Sequence, residues 1–107
     1  MEGFWTVQFA GIQGFGAGVV TLIGGQVFGG DSGFLYTGTF KAQGSDFSAD
    51  VADRRYAAGT QSVMGVDRFN LTLKGALNGN TISVDGGVAG TPMQFKATLT
   101  KQADLPR

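Results

Sequence analysis

The stretch Phe34-Leu35-Tyr36-Thr37-Gly38-Thr39-Phe40-Lys41-Ala42-Gln43-Gly44-Ser45-Asp46-Phe47-Ser48-Ala49-Asp50-Val51-Ala52-Asp53-Arg54 decides the fold class. Its apolar residues recur at every second position, the period of a strand with one buried face. From 34 to 42, Phe34, Tyr36 and Phe40 share one face and Leu35, Thr37 and Thr39 the other. Gln43-Gly44-Ser45 turns the chain. From 46 to 54, Phe47, Ala49 and Val51 oppose Ser48, Asp50 and Ala52. The whole stretch reads as one β-hairpin.

The same period extends in both directions. Trp5, Val7 and Phe9 alternate with Thr6 and Gln8 from 4 to 9. Gly11 to Gly16 reads as a glycine loop, Ala17 to Ile23 as a second strand, and Gln26 to Gly29 as a short third one. Gly24-Gly25 between them suits a two-residue hairpin turn, which needs positive φ. Tyr56 to Met64 is irregular. From 66 to 75, Phe69, Leu71 and Leu73 oppose Asn70, Thr72 and Lys74. Asn78-Gly79 is a strong hairpin signal, followed by Ile82, Val84 and Val88 in a strand from 81 to 88. Phe95, Ala97 and Leu99 alternate with Gln94, Lys96, Thr98 and Thr100 from 93 to 101.

About eight strands with short connections and no helical segment imply antiparallel neighbours in one domain, residues 1–107. The expected architecture is an all-β, up-and-down antiparallel barrel, because closure removes exposed edges. A Greek-key sandwich is the alternative. The inward faces should form one core containing Trp5, Val7, Phe9, Phe47, Val51, Phe69, Leu71, Leu73, Ile82, Val84, Phe95 and Leu99. Gln8, Lys74, Lys96 and Thr98 should face solvent.

Composition excludes much chemistry. The 107 residues include no Cys and no His, so a zinc site and a His-based nucleophile system lack their usual parts. Lys and Arg total 8 against 8 Asp and Glu, and no basic stripe suits nucleic acid. No apolar run approaches the roughly 18 residues of a spanning helix. The N-terminus lacks the pattern of a signal peptide. The expectation is a cytoplasmic binding protein, with no enzyme activity, no cofactor and no membrane partner.

Several motifs read as structure. Gly30-Asp31-Ser32-Gly33 looks like the stretch around the nucleophile of trypsin-like proteases, but there is no His to act as base. Gly30, Asp31 and Gly33 are expected to form a turn in which Asp31 accepts backbone amides. Gly14-Phe15-Gly16-Ala17-Gly18 lacks the Lys-Ser/Thr of a phosphate loop. Asn70-Leu71-Thr72 is a glycosylation sequon, idle without secretion. Asp46, Asp50, Asp53, Asp67 and Asp85 show no clustered pairing and are expected on solvated faces.

Two features concern binding. Trp5, Tyr36, Phe47, Phe69 and Phe95, with Val7, Phe9 and Leu71, either line a cavity for a small apolar ligand or fill the core outright. Val19, Val20, Leu22 and Ile23 form a nearly continuous apolar run, and Leu35 opposes Phe34 and Tyr36. A strand with one solvated face should alternate, so Val19, Val20, Leu22 and Leu35 are candidates for a dimer or partner surface.

Gly3-Phe4-Trp5 resembles the N-terminal Gly-x-Trp signature of lipocalins. Over most of its length the chain also resembles the GrlR-like negative regulators of bacterial type III secretion. The resemblance rests on Gly3 with Phe4 to Phe9, Gly16-Ala17-Gly18-Val19-Val20, and Gly29-Gly30-Asp31 leading into Phe34-Leu35-Tyr36-Thr37-Gly38. Arg55-Tyr56 and Leu71-Thr72-Leu73-Lys74-Gly75 extend it. It implies a lipocalin-like barrel that forms homodimers and a regulator that sequesters a transcriptional activator. The family's exposed acidic run is absent, since the corresponding stretch is Lys41-Ala42-Gln43-Gly44-Ser45-Asp46. Two functions therefore compete: a protein-binding regulator acting through its surface, and a lipocalin-like carrier acting through its interior.

Overall fold

A computed structural model describes residues 1–11, 14–58 and 67–106. It contains β1 (Gly3–Gly11), β2 (Gly14–Ile23), β3 (Gln26–Gly30), β4 (Phe34–Gln43), β5 (Asp46–Arg55), β6 (Arg68–Asn78), β7 (Thr81–Val88) and β8 (Gln94–Ala103). Each strand pairs antiparallel with the next, and β8 returns to β1 with Val7 opposite Leu99. The result is a closed up-and-down barrel of eight strands, not a sandwich.

Turn chemistry sets the registers. Gly24 and Gly25 link β2 to β3 with φ of 58° and 77°, the double positive φ of the turn that matches strand twist. Between β6 and β7 the paired residues are Asn78 and Thr81, so the loop is Gly79-Asn80, one residue later than Asn78-Gly79. These tight turns lie at one end of the barrel. The C-terminal ends of β1, β3, β5 and β7 lie at the other, here called the loop end. Most of the expected irregular stretch 56–64, and Val66, lie outside the described residues.

The interior is one apolar cluster, and all the expected core residues contribute to it. Gln8, Lys74, Lys96 and Thr98 are exposed. Packing is tightest near the turn end, where Trp5 and Leu22 are 1% exposed and Ile82 is fully buried. The Trp5 indole N–H donates to the Met1 carbonyl at 3.1 Å, so its polar edge is satisfied.

The apolar run of β2 requires a correction. Val20 and Leu22 are buried inside the barrel and are not part of any outer surface. Val19 and Ile23 do face outward, and Leu35 is half-buried. β2 alternates strictly, but the inward half begins Gly14, Gly16, Gly18 and starts before the expected Ala17. Gly16 and Gly18 make room for rings from β1 and β4. A Cβ at Gly16 would lie 2.5 Å from the Phe9 ring, and one at Gly18 would lie 2.8 Å from the Tyr36 hydroxyl. Phe9 and Tyr36 accordingly meet edge to face, with centroids 6.4 Å apart.

Candidate functional site

Above the packed turn end, the barrel interior holds a partly open cavity of about 270 Å³. Of the residues expected inside, Val7, Phe9, Tyr36, Phe47, Phe69, Leu71 and Phe95 border it, whereas Trp5 packs beneath it. Phe15, Asp31 and Ser32 border it at the loop end. Its wall is built by period-2 alternation, and ring pairs line it: Phe9 stacks on Phe95 with centroids 5.7 Å apart, and Phe34 lies tilted against Phe69 at 5.9 Å.

The polar groups of the wall lie toward the loop end. Asp31 belongs to the turn between β3 and β4. Its Oδ1 accepts the N–H groups of Gly33 and Phe34, each at 2.8 Å. Its own N–H donates to the Phe34 carbonyl at 2.9 Å. Asp31 and Gly33 thus sit in a turn that the Asp31 side chain ties together, whereas Gly30, also expected in the turn, is the last residue of β3. Oδ2 of Asp31 accepts the Tyr36 hydroxyl, and Tyr56 donates its hydroxyl to the Asp31 carbonyl at 2.7 Å.

Asp53 was expected on a solvated face, but it points into the barrel and is 6% exposed. In the ladders it stands opposite Tyr36 on β4 and Phe69 on β6. Its Oδ1 is buried and has no hydrogen-bond partner among the described residues. Burial pushes its carboxyl up to about 7, and the Asp31 charge adds to the shift. Burial also raises the Tyr36 hydroxyl, assisted by its bond to Asp31 and the negative charge there. The other carboxylates noted in the sequence, Asp46, Asp50, Asp67 and Asp85, are exposed.

Arg55 closes the inward row of β5 at the loop end. Its Nε donates to Asp67 Oδ1 at 2.7 Å, and its guanidinium lies 5.0 Å from the Phe34 ring centroid. Among the described residues no group of three or more His, Cys, Asp or Glu is placed to hold a metal ion, and no helix is long and apolar enough to cross a membrane.

Fold and site together define a class: a closed up-and-down β-barrel with an apolar interior cavity and a buried carboxylate in its wall. No protein-family model and no curated protein matches the sequence.

Proposed function

We propose that this protein is a non-enzymatic binding protein whose interior holds one small, mostly apolar molecule, in the manner of a lipocalin-like carrier. The cavity of about 270 Å³ carries the reading. An apolar cavity of about 150 Å³ binds benzene, so by proportion this one suits a ligand of roughly ten non-hydrogen atoms. A void of this size also forfeits the dispersion contacts that a packed core would make, and a ligand restores them. Catalysis is the weaker reading, because the Tyr36 proton is committed to Asp31 and Asp53 faces no donor among the described residues. Calorimetric titration with 2-phenylethanol tests the proposal. Saturable one-to-one binding is expected, and no heat of binding up to millimolar concentration would contradict it.

The outer surface supports a second reading, a protein-binding regulator that forms homodimers. Phe4, Val19, Ile23 and Phe28 are exposed on the adjacent strands β1 to β3. Phe4, Thr21 and Phe28 stand in one cross-strand row. An exposed apolar patch of this kind suits a partner surface. The GrlR-like resemblance points the same way, although the acidic run of that family is missing at 41–46. Light scattering at micromolar concentration tests it: a dimer that Phe28→Asp dissociates is expected, and a strictly monomeric protein would contradict it. A cytoplasmic setting suits either reading, because a chain without cysteine gains nothing from an oxidising compartment.

A further inference from the structure

A hydrocarbon ligand alone would leave Asp53 Oδ1 without a partner. That oxygen is buried, nothing among the described residues donates to it, and Asp53 is one of the residues that border the cavity. Buried acceptors are normally satisfied. One kept at a cavity wall leaves the donor's place to whatever fills the cavity.

The groups packed around Asp53 fix the chemistry of that donor. From β4, Tyr36 faces it across the ladder, but the Tyr36 hydrogen is spent on Asp31, so only lone pairs remain for a ligand. From the turn before β4, Asp31 brings a second carboxylate whose Oδ1 is already occupied by two N–H groups. From β6 the facing residue is Phe69, which is apolar. On β5 itself, Val51 precedes it on the inward face and Arg55 follows. The Arg55 guanidinium lies on Asp67 and over Phe34 and does not border the cavity. Tyr56 gives its hydroxyl to the Asp31 carbonyl. Among the described residues, a ligand head group at Asp53 therefore meets carboxylates, lone pairs, hydrocarbon and, at the loop end, the Ser32 side chain.

An anionic head group would be repelled there. A neutral donor would satisfy Oδ1, and a cationic donor would satisfy it and offset the buried charge as well. We propose that the site takes a small apolar amine, bound as its ammonium ion, with N–H groups on Asp53 Oδ1 and Tyr36 Oη and its hydrocarbon against Val7, Leu71 and Phe95. This rests on the interior-binding reading and narrows it to one ligand class. Asp53 accepts the ammonium best when ionised. Its carboxyl is pushed up to about 7, so amine affinity rises from pH 6 to pH 8 while an alkylamine stays protonated.

The test compares 2-phenylethylamine, 2-phenylethanol and phenylacetate by calorimetry at pH 8. They are similar in size and differ in head group. The amine should bind about tenfold more tightly than the alcohol, and phenylacetate should bind most weakly. Asp53→Asn should abolish the amine's advantage over the alcohol. If the alcohol or phenylacetate binds the native protein as tightly as the amine, the amine assignment is overturned and interior binding stands. The same holds if Asp53→Asn keeps the preference. If none of the three binds, interior binding fails and the amine assignment with it.

Discussion

Asp53 stands directly opposite Tyr36 in the β4–β5 ladder, and both side chains point into the barrel. The pair puts a carboxyl group and a phenol hydroxyl in a wall otherwise built from hydrocarbon. Asp31 holds the Tyr36 hydrogen, so the pair presents acceptors to the cavity. The electrostatic behaviour of the site follows from that arrangement.

Stability should fall as pH rises through the titration of Asp53. Unfolded, the carboxyl releases its proton near 3.8; folded, it holds it up to about 7. Between these values the folded state binds more protons, so raising the pH favours unfolding. The penalty is complete above about 7 and amounts to something on the order of 4 kcal/mol. Asp53→Asn should flatten this slope and be more stable than the native protein at pH 8. Urea unfolding at pH 5 and pH 8 measures it, and parallel profiles for the two proteins would count against a buried, titrating Asp53.

Asp31→Ala strips the acceptor from two backbone N–H groups and from Tyr36. Stability should drop by about 2–4 kcal/mol, while Ser32→Ala, at an exposed position of the same turn, should change little. If Asp31→Ala kept its melting temperature and lost only ligand affinity, Asp31 would be a ligand contact and not the anchor of its turn.

Filling the cavity should separate stability from binding. Ala97 lies on the inward face of β8 and borders the void. Ala97→Leu should hold stability or raise it by about 0.5–2 kcal/mol, as cavity-filling changes do, and should weaken 2-phenylethanol at least about tenfold. Thermal melting and calorimetry on one preparation check both. Unchanged affinity would move the ligand elsewhere.

Phe69 and Phe95 are both buried; Phe95 stacks on Phe9, and Phe69 packs at a tilt against Phe34. Replacing either with Ala should cost about 3–5 kcal/mol, read from denaturant midpoints. A cost below about 1 kcal/mol, the scale of an ordinary surface change, would mean that the ring does not pack as described.

The barrel was legible in the sequence wherever inward and outward side chains differed in kind. The strand from Thr81 to Val88 was found with its observed ends, and the period through Phe69, Leu71 and Leu73 gave the correct face of β6. β2 failed on the same criterion. Its inward positions open with Gly14, Gly16 and Gly18, which carry no side chain to reveal a period, so Val20 and Leu22 looked like part of a two-faced run. Asp53 failed for a different reason. The alternation of Phe47, Ala49 and Val51 continues one step to Asp53, but a carboxylate at that step reads as the end of the buried face. Its burial arises from Tyr36 and Phe69 on the neighbouring strands, which no local window contains. The cavity was equally hidden, because whether eight strands enclose a void depends on how side chains from all of them meet at the axis.

The central claim, that the interior is the binding site, is tested most directly by methyl-group NMR during titration with 2-phenylethanol. Val7, Leu71, Leu73, Val84 and Leu99 line the cavity, whereas Val19 and Ile23 lie on the outer face. The account predicts saturable shifts of the inner methyls with Val19 and Ile23 unmoved. Shifts confined to Val19 and Ile23, or inner methyls that stay fixed throughout, would contradict it.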